Sequence, residues 1–343
     1  MTDDDAVAGE RDREAVTAVS SIAYGFMASQ ALFTALDLEL FTRLADGPAE
    51  ADELARRVGA HPARFQALLT ACTALRLIER EGELYRNTPV ASRYLVKHAR
   101  GYMGEYYLRQ ISSTLYSELP LARAIVRGQA GASTTYAHFL EDPVRAEAFI
   151  RGQHAGSSGP AYLLAKTLDL SPFTRLLDLG GGSGAYAIEA MRRQPTLTAV
   201  IVEHPRVIAV AEKIVAEAGL RHRVEFATGD VVNDAWPKGA DLILLSYIIS
   251  SYQPETMRSL LARAHGYLPL GGGLVIHDFA LHADGPGPLN AALWLFANLA
   301  ISATTHPHTV AEVTQAMAQA GFAEIEARPH IPDITFLFVG RRK

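Results

Sequence analysis

The chain has 343 residues, enough for two domains, and its 49% apolar and 20% charged content is typical of a globular protein. A formal net charge of -5 argues against nucleic acid or an anionic membrane as a bulk partner. No uninterrupted apolar run reaches the about 18 residues that span a bilayer, and the polar start does not resemble a signal peptide. Cys72 is the single cysteine, which excludes an intrachain disulfide and a thiolate-rich metal site. We therefore expect a cytoplasmic protein.

The first predicted element is a helix from Ala15 to Leu44 that carries few charges for a surface helix. A helix that is apolar on most of its sides is normally buried. Either the chain's own core or a second subunit could bury it, and both alternatives stay open at this point.

A helix-turn-helix pattern with a wing follows. Asp52 begins a short helix, Gly59–Pro62 forms a turn, a second helix runs from Ala63 to Leu77, and Glu81 and Gly82 turn a hairpin. This pattern raises DNA binding as a hypothesis. The second helix argues against it because its side chains are largely apolar, among them Phe65, Leu68, Leu69, Cys72 and Leu75. We predict a winged helix used for packing, with no nucleic-acid partner.

The periodicity changes after a helical stretch rich in aromatic residues. Short apolar strands then alternate with helices, which predicts a parallel sheet with crossover helices. The predicted strands are Arg175–Leu179, Ala199–Glu203, Val224–Ala227, Leu242–Leu245, Gly273–His277 and Thr335–Val339. The predicted organisation is a helical, winged-helix domain over 14–100, connecting helices over 101–165, and an α/β, doubly wound, Rossmann-like domain over 166–343.

The segment "LLDLGGGSGAYAI" is a strand, a glycine-rich turn and a helix. Gly180 and Gly182 let the backbone turn tightly and let a nucleotide-like ligand approach where a Cβ would clash. The turn also fits the dinucleotide fingerprint G-x-G-x-x-A, so a dehydrogenase is an alternative.

Three acids favour S-adenosylmethionine over a dinucleotide. Asp178 precedes the first glycine, where a carboxylate suits an ammonium and repels a phosphate. Glu203 ends the second strand, where an acid can accept both ribose hydroxyls. Asp230 follows the third strand and can accept from the adenine amino group. Val231 and Ser246, after the third and fourth strands, complete the predicted cofactor contacts.

The motifs "LLDLGGGSG", "VIVEHP", "ATGD", "LPLGGGLVIHDF" and "AEVTQAMAQAGF" resemble those of plant and bacterial small-molecule O-methyltransferases of the caffeate and hydroxyindole type. The resemblance covers nearly the whole chain from Ala15. It implies a homodimer whose N-terminal helices help to close the partner's active site. It also implies that the helix before the glycine turn lines the acceptor pocket. His154 and Ser157 are the candidate pocket residues on that helix, and Ser250, Tyr252 and Asn298 are further candidates for the acceptor pocket.

The chain departs from the resembled family where the family carries a His-Asp-Trp whose histidine takes the acceptor's proton. Aligned through the fourth strand, Ser250 stands at the histidine position, Ser251 at the aspartate and Tyr252 at the tryptophan. Serine is no general base at neutral pH. Of the family's two flanking acids, Asp278 matches the first, and Pro307 falls near the second.

Several mechanisms remain open. One is O-methylation with a relocated base, for which the candidates are His306, His308 and Asp278. Another is C-methylation of an enolisable keto acid or an electron-rich ring, for which loss of the usual base is no handicap. N-methylation, a repurposed pocket and a winged-helix regulator without enzymatic activity are the remaining alternatives.

A metal site is a further alternative. His277 with Asp278, His306 and His308 could form a two-histidine, one-carboxylate set. Successive strand residues point to opposite faces, so His277 and Asp278 should not share a site. We expect no metal.

Overall fold

The computed structural model describes residues 3–129, 136–283, 285 and 287–343, with side chains from residue 14 onward except 137. It divides into two compact units, Met1–Leu108 and Arg109–Lys343. The boundary between the units falls inside the segment 101–165 that the sequence assigns to connecting helices.

The first unit is a helical domain with a winged helix. Its helices are α1 (Asp3–Asp37), α2 (Leu40–Ala45), α3 (Ala51–Arg57), α4 (Pro62–Ala74) and α5 (Pro89–Tyr94). Its strands β1 (Ala49–Glu50), β2 (Ile78–Glu81) and β3 (Leu84–Asn87) form an antiparallel sheet in the order β1-β3-β2. Phe65, Leu69 and Cys72 on α4 face the core of this unit. The predicted wing is present, and the helix before it uses its apolar face for packing.

Helix α1 carries exposed apolar side chains, among them Ile22, which is 82% exposed, and Phe26 and Met27. Its residues Glu14–Asp37 are long and apolar enough to cross a membrane by length and composition, and only 6% of the apolar window is buried. An isolated helix with this much apolar surface needs a partner, because contiguous exposed apolar patches mark interaction sites.

The second unit is built on a seven-stranded sheet. Its strands, in chain order, are β4 (Arg175–Leu179), β5 (Thr198–Glu203), β6 (Val224–Thr228), β7 (Leu242–Ser246), β8 (Gly273–Asp278), β9 (Phe322–Pro329) and β10 (Phe336–Arg342). The order across the sheet is β6-β5-β4-β7-β8-β10-β9, with β4 to β8 parallel and β10 antiparallel to both of its neighbours. The predicted α/β, doubly wound domain is confirmed, and β9 is a strand that the sequence did not predict.

The structure describes nine α-helices in the second unit. They are α6 (Tyr116–Glu118), α7 (Ala122–Val126), α8 (Tyr136–Phe139), α9 (Pro143–Thr167), α10 (Ala185–Arg193), α11 (Pro205–Glu217), α12 (Pro254–Tyr267), α13 (Leu289–Asn298) and α14 (Val310–Gln319). A π-helix (Tyr106–Leu115) and three single 3₁₀ turns (Leu119–Leu121, Arg221–Arg223, Ile249–Ser251) complete the described elements. One apolar core joins α9, α10 and α11 to the sheet, and a second joins α12 and α14 to its other face. Apolar side chains therefore pack against both faces of the sheet, and we look for polar functional groups at the carboxyl ends of the strands.

Candidate active site

The glycine turn lies at the carboxyl end of β4, the middle one of the five parallel strands, at which the strand order reverses. Gly180, Gly182 and Gly184 all have positive φ angles, of 66°, 53° and 78°. The left-handed conformation of Gly180 strains any other residue, and a Cβ there would also lie 2.4 Å from Cδ1 of Ile248, which would have to move. Helix α10 begins at Ala185, directly after the turn, and presents its N-terminal amides there.

Asp178 lies beneath the turn and is completely buried. Neither of its carboxylate oxygens meets a donor in normal hydrogen-bond geometry among the described residues. Burial, with a smaller contribution from the charge of Glu203, raises the pKa of Asp178 to about 7. A buried carboxylate without a partner is costly, so a cationic ligand is the partner that this site calls for.

Glu203 and Asp230 end the next two strands but have different surroundings. Burial raises the pKa of Glu203 to about 7, although its Oε2 accepts a hydrogen bond of 2.8 Å from the His204 amide. Asp230 is exposed, and its Oδ1 accepts from the amides of Val232 at 2.9 Å and Asn233 at 2.7 Å. One oxygen of Asp230 therefore holds its own turn, and only the other remains for a ligand.

Tyr252 lies on the same side of the site as these two acids. Burial, then the charges of Asp230 and Glu203, raise the pKa of its phenol. Val231 is buried, and its carbonyl accepts from the indole of Trp236 at 3.0 Å. The sequence placed Tyr252 in the acceptor pocket, and the structure brings it to the acids predicted to bind the nucleoside.

Ser246 belongs to a buried polar network that the sequence did not predict. Its Oγ lies 3.1 Å from Nδ1 of His277, and the hydroxyl of Tyr186 lies 3.0 Å from the same nitrogen. Nε2 of His277 is 2.9 Å from Oγ1 of Thr335. Burial holds the pKa of His277 well below its usual range, so the ring is neutral and can serve these hydroxyls as an acceptor. Tyr186 follows the glycine turn by two residues, which was the only sequence signal for it.

Asp278 faces the other side of its strand and contacts Ser250. The Ser250 amide donates to its Oδ2 at 3.1 Å, and the Phe279 amide donates to its Oδ1 at 2.8 Å. Asp278 is completely buried, and burial raises its pKa to about 6. His277 and Asp278 thus have different neighbours, as strand geometry requires. Over the described residues, no three His, Cys, Asp or Glu side chains are grouped to hold a metal.

The two candidate histidines are held differently. Nε2 of the completely buried His308 lies 2.9 Å from the carbonyl oxygen of Tyr252, so this nitrogen carries the proton and donates it. Its Nδ1 has no partner among the residues described. His306 is partly exposed, its amide donates to the Ser250 carbonyl at 3.0 Å, and its ring centroid is 4.6 Å from that of His308. The bonded nitrogen of His308 is therefore in the wrong protonation state to accept a proton.

The predicted pocket residues lie on two helices. Nδ1 of His154 on α9 is 2.9 Å from Oγ of Ser183 in the glycine turn, and burial lowers the pKa of this histidine. Ser157, one turn further along α9, is partly exposed. Asn298 ends α13 and is also partly exposed, and its carbonyl accepts from the amides of residues 301 and 302.

An aromatic cluster that sequence reasoning missed adjoins Asp278. The ring of Phe279 lies 5.0 Å from that of Tyr247 and stacks at 5.6 Å on Trp294 of α13. Tyr247 directly follows β7 with a φ of 56°, a left-handed conformation that is strained for a bulky residue. For Tyr247 and Phe279, the position just beyond a strand was the signal that could have found them.

Comparison with known proteins agrees with this geometry. An O-methyltransferase domain model matches residues 122–323, and an O-methyltransferase dimerisation domain model matches residues 20–97. A 3-hydroxy-5-methyl-1-naphthoate 3-O-methyltransferase of Streptomyces sahachiroi is 35% identical over 312 residues, 90% of each chain. The N,N-dimethyltransferase OxyT of Streptomyces rimosus is 34% identical over 256 residues, 73% of this chain and 74% of OxyT.

Human N-acetylserotonin methyltransferase in complex with SAM superposes with a TM-score of 0.83 and 25% identity, covering 96% of this chain and 97% of that one. Fold and site therefore define a methyltransferase that uses S-adenosylmethionine (SAM), and the dehydrogenase alternative falls. The chain belongs to the O-methyltransferase family of small-molecule methyltransferases, with relatives in natural-product pathways. Its dimerisation domain supports formation of a homodimer.

Proposed function

We propose that the protein transfers the methyl group of SAM to a hydroxyl group on a small aromatic acceptor. SAM as the cofactor is supported by Asp178 beneath the glycine turn, which is fully buried and whose carboxylate has no hydrogen-bond partner among the described residues. An aromatic acceptor is supported by the cluster of Tyr247, Phe279 and Trp294 beside Asp278. The hydroxynaphthoate named as the substrate of a relative supports it as well. Aromatic side chains of this kind favour stacking on a flat ring.

The cofactor supplies a methyl group on a sulfonium, an excellent leaving group. In this proposal Asp178 binds the ammonium of its methionine part, and Gly180 and Gly182 let the chain approach closely. Glu203 accepts from the ribose hydroxyls, and the free oxygen of Asp230 with Val231 and Tyr252 borders the adenine. Positioning of this kind supplies much of the rate of an in-line displacement.

We assign removal of the acceptor's proton to Asp278. It adjoins Ser250, where a small side chain replaces the family's histidine, and a pKa of about 6 leaves it ionised yet basic near neutral pH. His308 is a weaker candidate because its Nε2–H is already donated to Tyr252. His306 remains the alternative base, since no hydrogen bond to its ring is found in the described part of the chain.

The acceptor atom can be tested with three matched naphthoates that carry a hydroxyl, an amine or neither group. Incubation with SAM bearing a deuterated methyl, followed by mass spectrometry and NMR, locates the label. We expect label on oxygen of the hydroxyl compound only. Label on carbon, or on the amine alone as the name of OxyT suggests for that relative, would contradict the proposal.

SAM binding should be linked to proton release. With Asp178 and Glu203 titrating near pH 7 in the free protein, binding of an ammonium favours the ionised carboxylates. We expect release of about one proton at pH 7, and a dissociation constant that rises about tenfold per pH unit near pH 7 and more steeply at lower pH, where both carboxyls are protonated in the free protein. Calorimetry in buffers of different ionisation enthalpy measures both. A dissociation constant independent of pH would contradict the assignment of these acids.

The finer assembly proposal is a homodimer that buries the exposed face of α1, in a cytoplasmic protein with no nucleic-acid partner. The double substitution Ile22→Glu and Phe26→Glu should yield monomer or aggregate in light scattering, because charges cannot be buried unpaired. Val90→Glu, which changes a 60% exposed residue on α5, is the matched control and should stay dimeric. A monomeric parent, or a parent recovered in the membrane fraction, would refute this assembly.

A further inference from the structure

Each backbone carbonyl of residues 250–252 accepts a hydrogen bond from the segment 302–308, which we call the clamp segment. The carbonyl of Ser250 accepts from the His306 amide at 3.0 Å. The carbonyl of Ser251 accepts from Oγ1 of Thr304 at 2.7 Å, and that of Tyr252 from Nε2 of His308 at 2.9 Å. Three consecutive carbonyls fixed by one segment make a rigid connection between the two loops. The tied loop is the one that carries the residues in place of the family's His-Asp-Trp.

His308 differs from the other donors of these hydrogen bonds because its side chain is fully buried. Burial is the main reason that its pKa lies below the usual value, so the ring is neutral with the proton on Nε2. His308 also lines a cavity of about 170 Å³ between α12 and α14, together with Met257, Arg258, Glu312 and Gln315, and its Nδ1 has no hydrogen-bond partner among the described residues. The ring thus stands between this cavity and the loop 250–252.

We propose that His308 is a positioning residue: its Nε2–H fixes the Tyr252 carbonyl and thereby holds the loop 250–252 in the geometry that methyl transfer requires. The proposal rests on the proposed function for its kinetic consequence only. Its structural consequence, order in the loop, is independent of the acceptor. The consequence for catalysis follows because Ser250 donates its amide to Asp278, and Tyr252 lies beside Glu203 and Asp230. Loss of the hydrogen bond from His308 should therefore weaken the contacts of Ser250 and of Tyr252 together.

The test compares His308→Ala with His308→Gln, whose amide can still donate to the Tyr252 carbonyl. Hydrogen exchange of the peptide amides over residues 249–253 should speed up about tenfold or more in His308→Ala, the scale expected for one buried hydrogen bond. The acceptor kcat/KM should fall by a similar factor. His308→Gln should recover most of both properties. Gln315→Ala, which enlarges the same cavity without touching the tie, is the control and should match the parent.

Added imidazole gives a sharper readout, because His308→Ala leaves a ring-sized space next to the cavity. Imidazole should slow the loop exchange of His308→Ala and raise its kcat/KM, and should leave Gln315→Ala unchanged. If His308→Ala does not fold, Thr304→Val tests the clamp segment at an exposed position by removing the shorter of two hydrogen bonds to the Ser251 carbonyl, the other of which comes from Oγ of Ser302 at 3.4 Å. It should give a smaller increase in the same exchange.

Two results would overturn the proposal. One is parent-like loop exchange in folded His308→Ala, or in Thr304→Val where that variant stands in for it. The other is equal loss in His308→Ala and His308→Gln with no response to imidazole. If the parent protein instead binds SAM but methylates no hydroxyl compound, the proposed function fails while the exchange data still decide the role of His308.

Discussion

Asp178→Asn should make the ligand-free protein more heat-stable while it removes tight SAM binding. Raising the pKa of this carboxyl from 3.8 to about 7 means that its ionised form costs the folded state roughly 4 kcal/mol above pH 7. The sign follows because a carboxyl with a raised folded-state pKa makes the protein less stable as pH rises through the interval from 3.8 to about 7. Asparagine removes the charge but leaves a buried amide to satisfy, so the net gain in Tm should be about 2–5 °C.

The same substitution should weaken SAM binding about 10²–10³-fold, because the buried ammonium loses its charged partner. Scanning fluorimetry and calorimetry at pH 7.5 measure the two effects. Asp241→Asn is the matched control. Asp241 accepts from the amides of Thr174 and Arg175 at the opposite end of β7, so its loss should lower stability and leave SAM affinity unchanged. A destabilised Asp178→Asn that still binds SAM tightly would show that this carboxylate serves the fold and has no role in the cofactor site.

Asp278→Asn should reduce turnover about 10²–10⁴-fold, the usual effect of losing a general base. The change is nearly isosteric and keeps one acceptor oxygen, although the amides of Ser250 and Phe279 donate to different oxygens of Asp278, so one of the two hydrogen bonds is lost. SAM affinity should change little. In the parent, kcat/KM should fall as pH drops below about 6, because a protonated carboxyl cannot accept the proton. That limb of the profile should be absent from Asp278→Asn.

His306→Gln separates the two remaining candidates for the base. If the limb persists in His306→Gln and disappears in Asp278→Asn, the carboxylate is the base. The reverse pattern would assign the role to His306. Parent-like turnover in both variants would leave proximity alone to carry the reaction, and would point to an acceptor that is already ionised near neutral pH.

Local sequence patterns were sufficient to predict the five parallel strands of the sheet. Strands β4 to β8 are apolar runs bounded by turn residues, and each was predicted to within one residue at either end. Strand β9 was missed because it lies at the edge of the sheet. Only Phe322 of its eight residues is buried, and Glu324 and Glu326 interrupt any apolar run. Its conformation comes from pairing with β10, a contact that no local pattern encodes.

The sequence by itself predicted the family and the cofactor, both of which the comparisons confirm, and it predicted cofactor-binding residues at the ends of successive strands. Glycines at a strand end and acids after successive strands are local features, and parallel strands bring their carboxyl ends to one edge of a sheet. Only the tertiary structure decided the electrostatic state of each group. Among the described residues, the buried Asp178 has no partner in normal hydrogen-bond geometry, whereas Asp230 is exposed and bound to its own turn. The direction of His308 depends on a carbonyl 56 residues away. Burial and hydrogen bonding set pKa values and proton positions, and both arise from residues distant in the chain.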